Sequence, residues 1–399
     1  MTKKTTSVKA KEAELLNRAI AAYSNQRGIQ PEKIGEVGLK SIVTVLALIR
    51  NWSSEDLSHI RPVEERHGEY LWPTMEMESN SISFAYRESM LLVAAEYSPP
   101  SAFVEYEEEN GETDIRWYNR RAALKPSINL ETRTDVCYDL ETTYTMLREK
   151  AKERPSNLWK CELPELMVEL AVAECRQFYE SMLDEYNFPL EVGEKTEMLF
   201  RDLLAEQSVS HVLPSIWAAV KSAAAFLQTD ACKGRPHAYN SIFGKIQDEA
   251  AKRRTGQYKS IPFERGHKCP RSVASMELYG VLGYDEDIGF TSKVTDITLP
   301  EEWTIKAVPN QHRFDQDDKD WMFENFNATY CQPLCGFEVI IGDLAVFVTE
   351  TIEGIAIQGY DARTENEEVM FDLLATDPLS RFSMRFILES IRAKHDKEN

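Results

Sequence analysis

The feature that most constrains this chain is a helical stripe beginning at Pro164. Val168, Val172, Cys175, Tyr179, Met182 and Tyr186 recur at the 3.6-residue spacing of one helix face, and Leu166, Leu170 and Ala173 widen it. A stripe that wide is the buried face of a globular helix rather than a coiled-coil seam. Pro164 suits a first turn, so the spacing predicts a helix over 164–186. Similar patterns predict helices over 194–207, 214–227 and 238–254, the last stopped by Thr255-Gly256. Residues 131–258 therefore read as a central helical domain.

Around that body the pattern changes. Residues 1–11 are Lys/Thr-rich and read as a flexible tail. Residues 12–100 read as an N-terminal helical region, with helices over 11–23 and 34–49 and a short third one capped by Ser53 or Ser54. Residues 101–130 read as a β-hairpin insertion. Phe103, Val104 and Tyr106 form one arm, Asn110-Gly111 the turn, and Ile115, Trp117 and Tyr118 the other, because Asn-Gly tolerates the positive φ of tight hairpin turns. After about residue 259 short strands replace long helices: 337–341, 345–349 and 354–358 read as successive strands, and a final helix starts at Asp377-Pro378. The expected fold class is α+β and helix-rich, with a helical N-terminal and central body, a β-hairpin insertion and a smaller α+β C-terminal domain over 259–399.

Charge narrows the function classes. The chain carries 66 acidic against 46 basic residues, a net charge of −20, which keeps it soluble and discourages nonspecific binding to nucleic acid or membrane. The longest apolar run, 42–49, is closed by Arg50, short of the roughly 20 residues of a membrane helix. The N-terminus lacks the apolar segment of a secretory signal. Seven cysteines scattered along a chain this long are ordinary for a reducing compartment, so a cytoplasmic location is expected.

Against the acidic background stand two basic–aromatic islands. One holds Arg116, Trp117, Tyr118, Arg120 and Arg121, with Lys125 just beyond; the other holds Lys252, Arg253 and Arg254, followed by Tyr258 and Lys259. Lysine and arginine contact phosphates and aromatic faces stack on unpaired bases, so these residues are the candidates for a nucleic-acid or partner site. Each has a plain structural counterpart: the second island complements the negative end of a helix, and the first can pair with its own acidic hairpin. The final helix adds Arg381, Arg385 and Arg392 on one face.

Catalytic motifs are sparse. No phosphate-binding glycine loop, nucleophile elbow, H-E-x-x-H or kinase signature is present. The acidic run 315–320 lacks the glycine and terminal glutamate of a calcium loop. His211 and His237 sit near helix starts, where hydrogen bonding is their usual role. His267, Cys269, Cys331 and Cys335 form two close pairs with the donor types of a structural zinc site, and the same residues serve equally as buried thiols and a surface histidine. No other cofactor is expected.

The sequence therefore favours a non-enzymatic assembly or interaction protein, a self-associating component of a viral or mobile-element complex, with a protein partner or a second copy and no membrane. The alternatives are a nucleic-acid-binding or nucleic-acid-processing protein using the islands, and a metal-dependent enzyme with a C-terminal site.

Overall fold

The computed structural model describes the chain except residues 1, 27, 66–67, 108–112, 128–138, 260, 305–315, 327, 332–335, 342–343, 351–354, 362–368, 376–387, 390 and 393–399. The chain is a helix-rich α+β protein that divides into two units, Met1–Thr304 and Ile305–Asn399. The helices of the first unit are α1 (Thr2–Ala22), α2 (Leu39–Trp52), α3 (Met75–Arg87), α4 (Leu140–Glu153), α5 (Asn157–Glu185), α6 (Glu194–Leu204), α7 (Val209–Phe226), α8 (Arg235–Asn240), α9 (Ile242–Arg254), α10 (Val273–Val281) and α11 (Ile288–Thr291). Its strands form two short antiparallel ribbons: β1 (Leu91–Val93) with β4 (Leu124–Pro126), and β2 (Phe103–Glu107) with β3 (Thr113–Trp117).

Two hydrophobic clusters hold this unit. The first surrounds α2, where Leu39 and every residue from Ser41 to Ile49 are buried, and α3, α4 and α10 pack on it. The second gathers α6, α7, α8 and α9. Helix α5 serves both: Leu163, Leu166 and Leu170 face the first cluster, and Cys175, Tyr179 and Met182 the second. The predicted stripe is thus the spine of the unit. It starts earlier than Pro164, at a cap where the Ser156 hydroxyl accepts from the Trp159 N–H, and Trp159 anchors the added turns by donating its indole N–H to the Val37 carbonyl at 2.7 Å.

Proline also organises the second cluster. Pro214 lies inside α7, so the Ser210 carbonyl lacks its usual helical donor. The Phe263 N–H takes that place at 2.9 Å, tying the segment after α9 to α7. The expected helix at 238–254 is two helices, α8 and α9, and residues 259–304 join the helical body because Val273, Leu278 and Tyr279 enter the first cluster.

Other departures have local causes. Residues 2–11, expected as a tail, continue α1. The short helix expected after Ser53 is a turn: the Ser54 hydroxyl accepts from the N–H groups of Ser58 and His59, and Asp56 accepts from Ser54 and Ser58. Side chains that bond nearby backbone compete with helix in this way. The same hydrogen bonds lower the Asp56 carboxyl to about 2. The hairpin arms pair in the expected order, Phe103 opposite Trp117 and Glu107 opposite Thr113, while the Asn110-Gly111 turn lies outside the described residues.

The second unit is a five-stranded antiparallel meander in chain order: β5 (Thr329–Cys331), β6 (Gly336–Ile341), β7 (Leu344–Glu350), β8 (Ile355–Asp361) and β9 (Val369–Ala375). Helix α12 (Gln316–Phe326) packs on β6, and Met322, Phe326, Phe337, Val339, Val346, Val348 and Ile357 form the core with Leu388. The three strands read from sequence are β6, β7 and β8. Of the terminal helix, Leu388, Glu389, Ile391 and Arg392 are described and helical.

One stability prediction arises here. Gly244 lies exposed in α9, and a Cβ added there meets nothing within 4 Å. Gly244→Ala is expected to stabilise the chain by about 0.5–1 kcal/mol, because glycine carries extra backbone entropy in the unfolded state. A raised urea midpoint with unchanged slope is the readout; a lowered midpoint sinks it.

Candidate functional site

The first island is placed by the turn that follows β3. The Tyr118 N–H donates to the Ala102 carbonyl, and the Arg121 and Ala122 N–H groups return to the Tyr118 carbonyl. Asn119 pins this turn to α3, its amide donating to the Ser79 carbonyl at 2.7 Å and to the Ser79 and Ser83 hydroxyls at 2.8 Å. Arg120 is thereby delivered to Glu78 of α3 at 2.5 Å, with Glu64 at 3.8 Å, and Arg121 meets Glu64 at 3.1 Å while lying over the Tyr118 ring. Arg116 stacks on Tyr106 at 3.5 Å from the ring centroid, Trp117 packs edge-on against Tyr86, and Lys125 pairs with Glu96 at 2.5 Å.

Glu78 is the centre of this arrangement. It is buried, and its carboxylate also accepts from the Leu71 N–H at 3.2 Å. Burial pushes its carboxyl above the usual range, with Arg120 opposing the rise. A cavity of about 300 Å³ opens beside the pair, lined by Glu64, Glu69, Tyr70, Met75, Glu78 and Arg120 among others.

The second island closes the C-terminal end of α9 in the same manner. Lys252 pairs with Glu249 at 2.8 Å, and Arg254 with Glu206 at 2.8 Å. Arg253 is drawn inward, donating to the Ser215 hydroxyl at 3.1 Å and the Pro214 carbonyl at 3.3 Å, with Glu249 at 3.9 Å. The Pro214 carbonyl it caps belongs to the helix whose ladder that proline interrupts. Arg392 of the terminal helix donates to the Asn325 carbonyl at 2.9 Å and lies over the Phe326 ring; Arg381 and Arg385 lie outside the described residues.

Of the zinc candidates, His267 is exposed and Cys269 buried. The Cys269 thiol donates to the Glu174 carbonyl at 3.6 Å, and burial pushes it well above the ordinary thiol range. Cys331 ends β5, its side chain and Cys335 being outside the described residues. Among the described residues no group of three or more His, Cys, Asp or Glu is arranged to hold a metal ion. His211 bonds the Ser208 hydroxyl through Nδ1 at 2.8 Å, one turn along α7, and His237 Nδ1 accepts from the Lys233 N–H at 3.1 Å.

Sequence reasoning missed a chain of ion pairs linking the two hydrophobic clusters. Glu174 of α5 meets Arg265 at 3.0 Å, Arg265 meets Asp287 at 2.8 Å, and Asp287 pairs with Arg271. Arg271 continues to Glu286 at 2.8 Å, Glu286 to Arg50 of α2 at 3.0 Å, and Arg50 to Glu277 of α10 at 2.8 Å. Tyr144 donates to Glu277 at 3.0 Å, and burial, reinforced by that carboxylate, raises the phenol to about 12. Glu174 is buried, which raises its carboxyl; the charge of Arg265 works against the rise. The available signal was an acid inside an apolar pattern: Glu174 interrupts the α5 stripe between Ala173 and Cys175, and Glu277 stands between Met276 and Leu278.

The chain matches no protein-family model, no curated protein and no solved structure. No described helix is long and apolar enough to cross a membrane.

Proposed function

We propose that this chain is an assembly protein that acts through protein–protein contacts and associates with further copies of itself. The observation that carries the reading is the pairing within the islands. Arg120, Arg121, Lys252, Arg253 and Arg254 each lie against a carboxylate of their own chain, and Arg116 lies on an aromatic face. Cations already neutralised gain little from a phosphate, because each new contact requires an existing pair to be broken. The net charge of −20 then faces outward and repels a polyanion. That weighs against the nucleic-acid reading and leaves a protein surface as the better matched partner.

The test is size exclusion with light scattering on the full chain, over a wide concentration range at low and high salt. A dimer or higher assembly is expected, and it is expected to weaken as salt screens the charges. A monomer under every condition overturns the reading.

A further inference from the structure

Arg61 stands apart from the other half-buried arginines. Among the described residues seven arginines are half-buried, and six of them (Arg18, Arg120, Arg176, Arg253, Arg265 and Arg271) lie against a carboxylate of the chain. Arg61 is the seventh. No ion pair engages it among the described residues, and its Nε is buried with no acceptor. A guanidinium taken part-way out of water without an acceptor is costly, because bonds to water are lost and none replaces them. An acceptor from outside the fold completes such a group.

Backbone pairing fixes what surrounds it. The Ile60 N–H donates to the Leu124 carbonyl at 2.8 Å, and the Leu124 N–H returns to the Ile60 carbonyl at 2.9 Å, so residues 59–61 run antiparallel to residues 123–125. On the other edge the Arg61 N–H donates to the Trp52 carbonyl at 2.7 Å and the Ser54 N–H to the His59 carbonyl at 2.8 Å. Arg61 is thus positioned by its main chain on both sides. Ile60 and Leu124 are buried in the first cluster. Side chains alternate across a strand, which sends His59, Arg61 and Lys125 to the opposite face, with His59 directly across from Lys125.

Tyr97 stands on that face and is 43% exposed. The His59 ring stacks on it at 4.2 Å between centroids, and the Lys125 Nζ lies 4.8 Å from the same ring. Burial lowers the His59 imidazole below its ordinary value, Asp56 and Glu65 oppose the shift, and the charges of Lys125 and Arg61 add to it, so the three side chains lie within electrostatic reach of one another. The nearby acids are engaged elsewhere: Glu96 pairs with Lys125, and Asp56 accepts from Ser54 and Ser58.

We infer that Arg61, with Lys125 and His59 beside it, is the seat of a single small oxyanion, a carboxylate or phosphate group supplied from outside the fold. A guanidinium presents paired N–H groups that match either oxyanion, and the ammonium of Lys125 adds a donor from the neighbouring strand. One small anion makes no demand on the wider surface, so the net charge of −20 that weighs against a polyanion does not weigh against this ligand. The inference goes beyond the self-association reading and does not depend on it.

Arg61→Met in the full-length chain tests it, with melting followed in sodium chloride, sodium phosphate and sodium acetate at equal ionic strength. In chloride the variant is expected to melt no lower than the parent, because the substitution removes a charge that has no counter-charge in the fold. A fall like that expected of Arg265→Met would mean that Arg61 has a partner in its own chain, and overturns the inference. In about 100 mM phosphate or acetate the parent is expected to gain about 2 °C or more over chloride, and the variant at most half as much, since a ligand that binds the folded state stabilises it. The variant also controls for salts that act by exclusion from the protein surface. A gain confined to phosphate assigns a phosphate ligand, and one confined to acetate a carboxylate. Equal gains in the two chains, or no gain in either, overturn the seat.

Discussion

Arg265→Met is expected to destabilise the first unit by about 3–5 kcal/mol, lowering Tm by roughly 10 °C. Arg265 is 11% exposed and Glu174 3% exposed, so neither group can turn to water when the other is removed. Burial works to lower the arginine, and Glu174, Cys269 and Asp287 more than offset it. Without the guanidinium, Asp287 keeps Arg271, but Glu174 retains no direct ion pair among the described residues. The penalty is that of a stranded carboxylate, not of a lost attraction. Arg265→Met combined with Glu174→Leu is therefore expected to recover most of the loss, because an apolar pair of similar volume replaces a buried ion pair at little cost. Chemical denaturation of the three chains decides it, and a double variant no better than the single one refutes the argument.

The same variant carries a pH signature. The Glu174 carboxyl is already raised in the folded chain by burial, and removing Arg265 takes away the charge that restrains it. A carboxyl raised on folding favours the folded state below its unfolded value, and that advantage disappears as pH rises through the folded value. The deficit of Arg265→Met relative to the parent should then be smallest at mildly acid pH, where Glu174 takes up a proton, and largest at neutral and alkaline pH. A deficit independent of pH would sink the assignment to Glu174.

These groups show where the sequence stopped being informative. The spacing along α5 announced its helix because a period of 3.6 is a local property, and the hairpin arms were legible for the same reason. Pro164 misplaced the start, since proline favours a first turn, whereas here the Ser156 cap and the Trp159 anchor extend the helix before it. Charge partners distant in sequence were not legible. Arg120 meets Glu78 across 42 positions and Arg50 meets Glu277 across 227, and no local pattern encodes such distances. The first island looked available for a ligand because Glu64, Glu78 and Glu96 lie far from it in sequence, whereas Glu249 stands three and four residues before Lys252 and Arg253 on their own helix. The basic start of α1 looked like a tail because its lysines and threonines carry no apolar periodicity, yet it continues the helix whose later turns pack through Leu15, Leu16 and Ala19.

Gly289→Ala is expected to cost about 3 kcal/mol by overpacking, the opposite sign to Gly244→Ala. A Cβ at 289 would overlap the Tyr279 hydroxyl and its ring atoms Cζ and Cε2. Tyr279 is 1% exposed within the first cluster, so the ring has nowhere to swing. The backbone must move instead, and Gly289 stands between Asp287 and Phe290, which both contact Arg265. Tyr279→Phe in the Gly289→Ala background removes only the hydroxyl overlap and should recover part of the loss; Tyr279→Leu, which also removes the ring edge, should relieve the clash further at the cost of a small cavity. Because the displaced α11 would pull Asp287 and Phe290 away from Arg265, Gly289→Ala and Arg265→Met should not be additive. The double variant is expected to lose less than the two single losses together, since each disturbs the same end of the ion-pair chain. Urea midpoints of the four chains test this: strict additivity would mean that the packing of Gly289 on Tyr279 is independent of the charged seam, and a midpoint for Gly289→Ala equal to that of the parent would remove the clash itself.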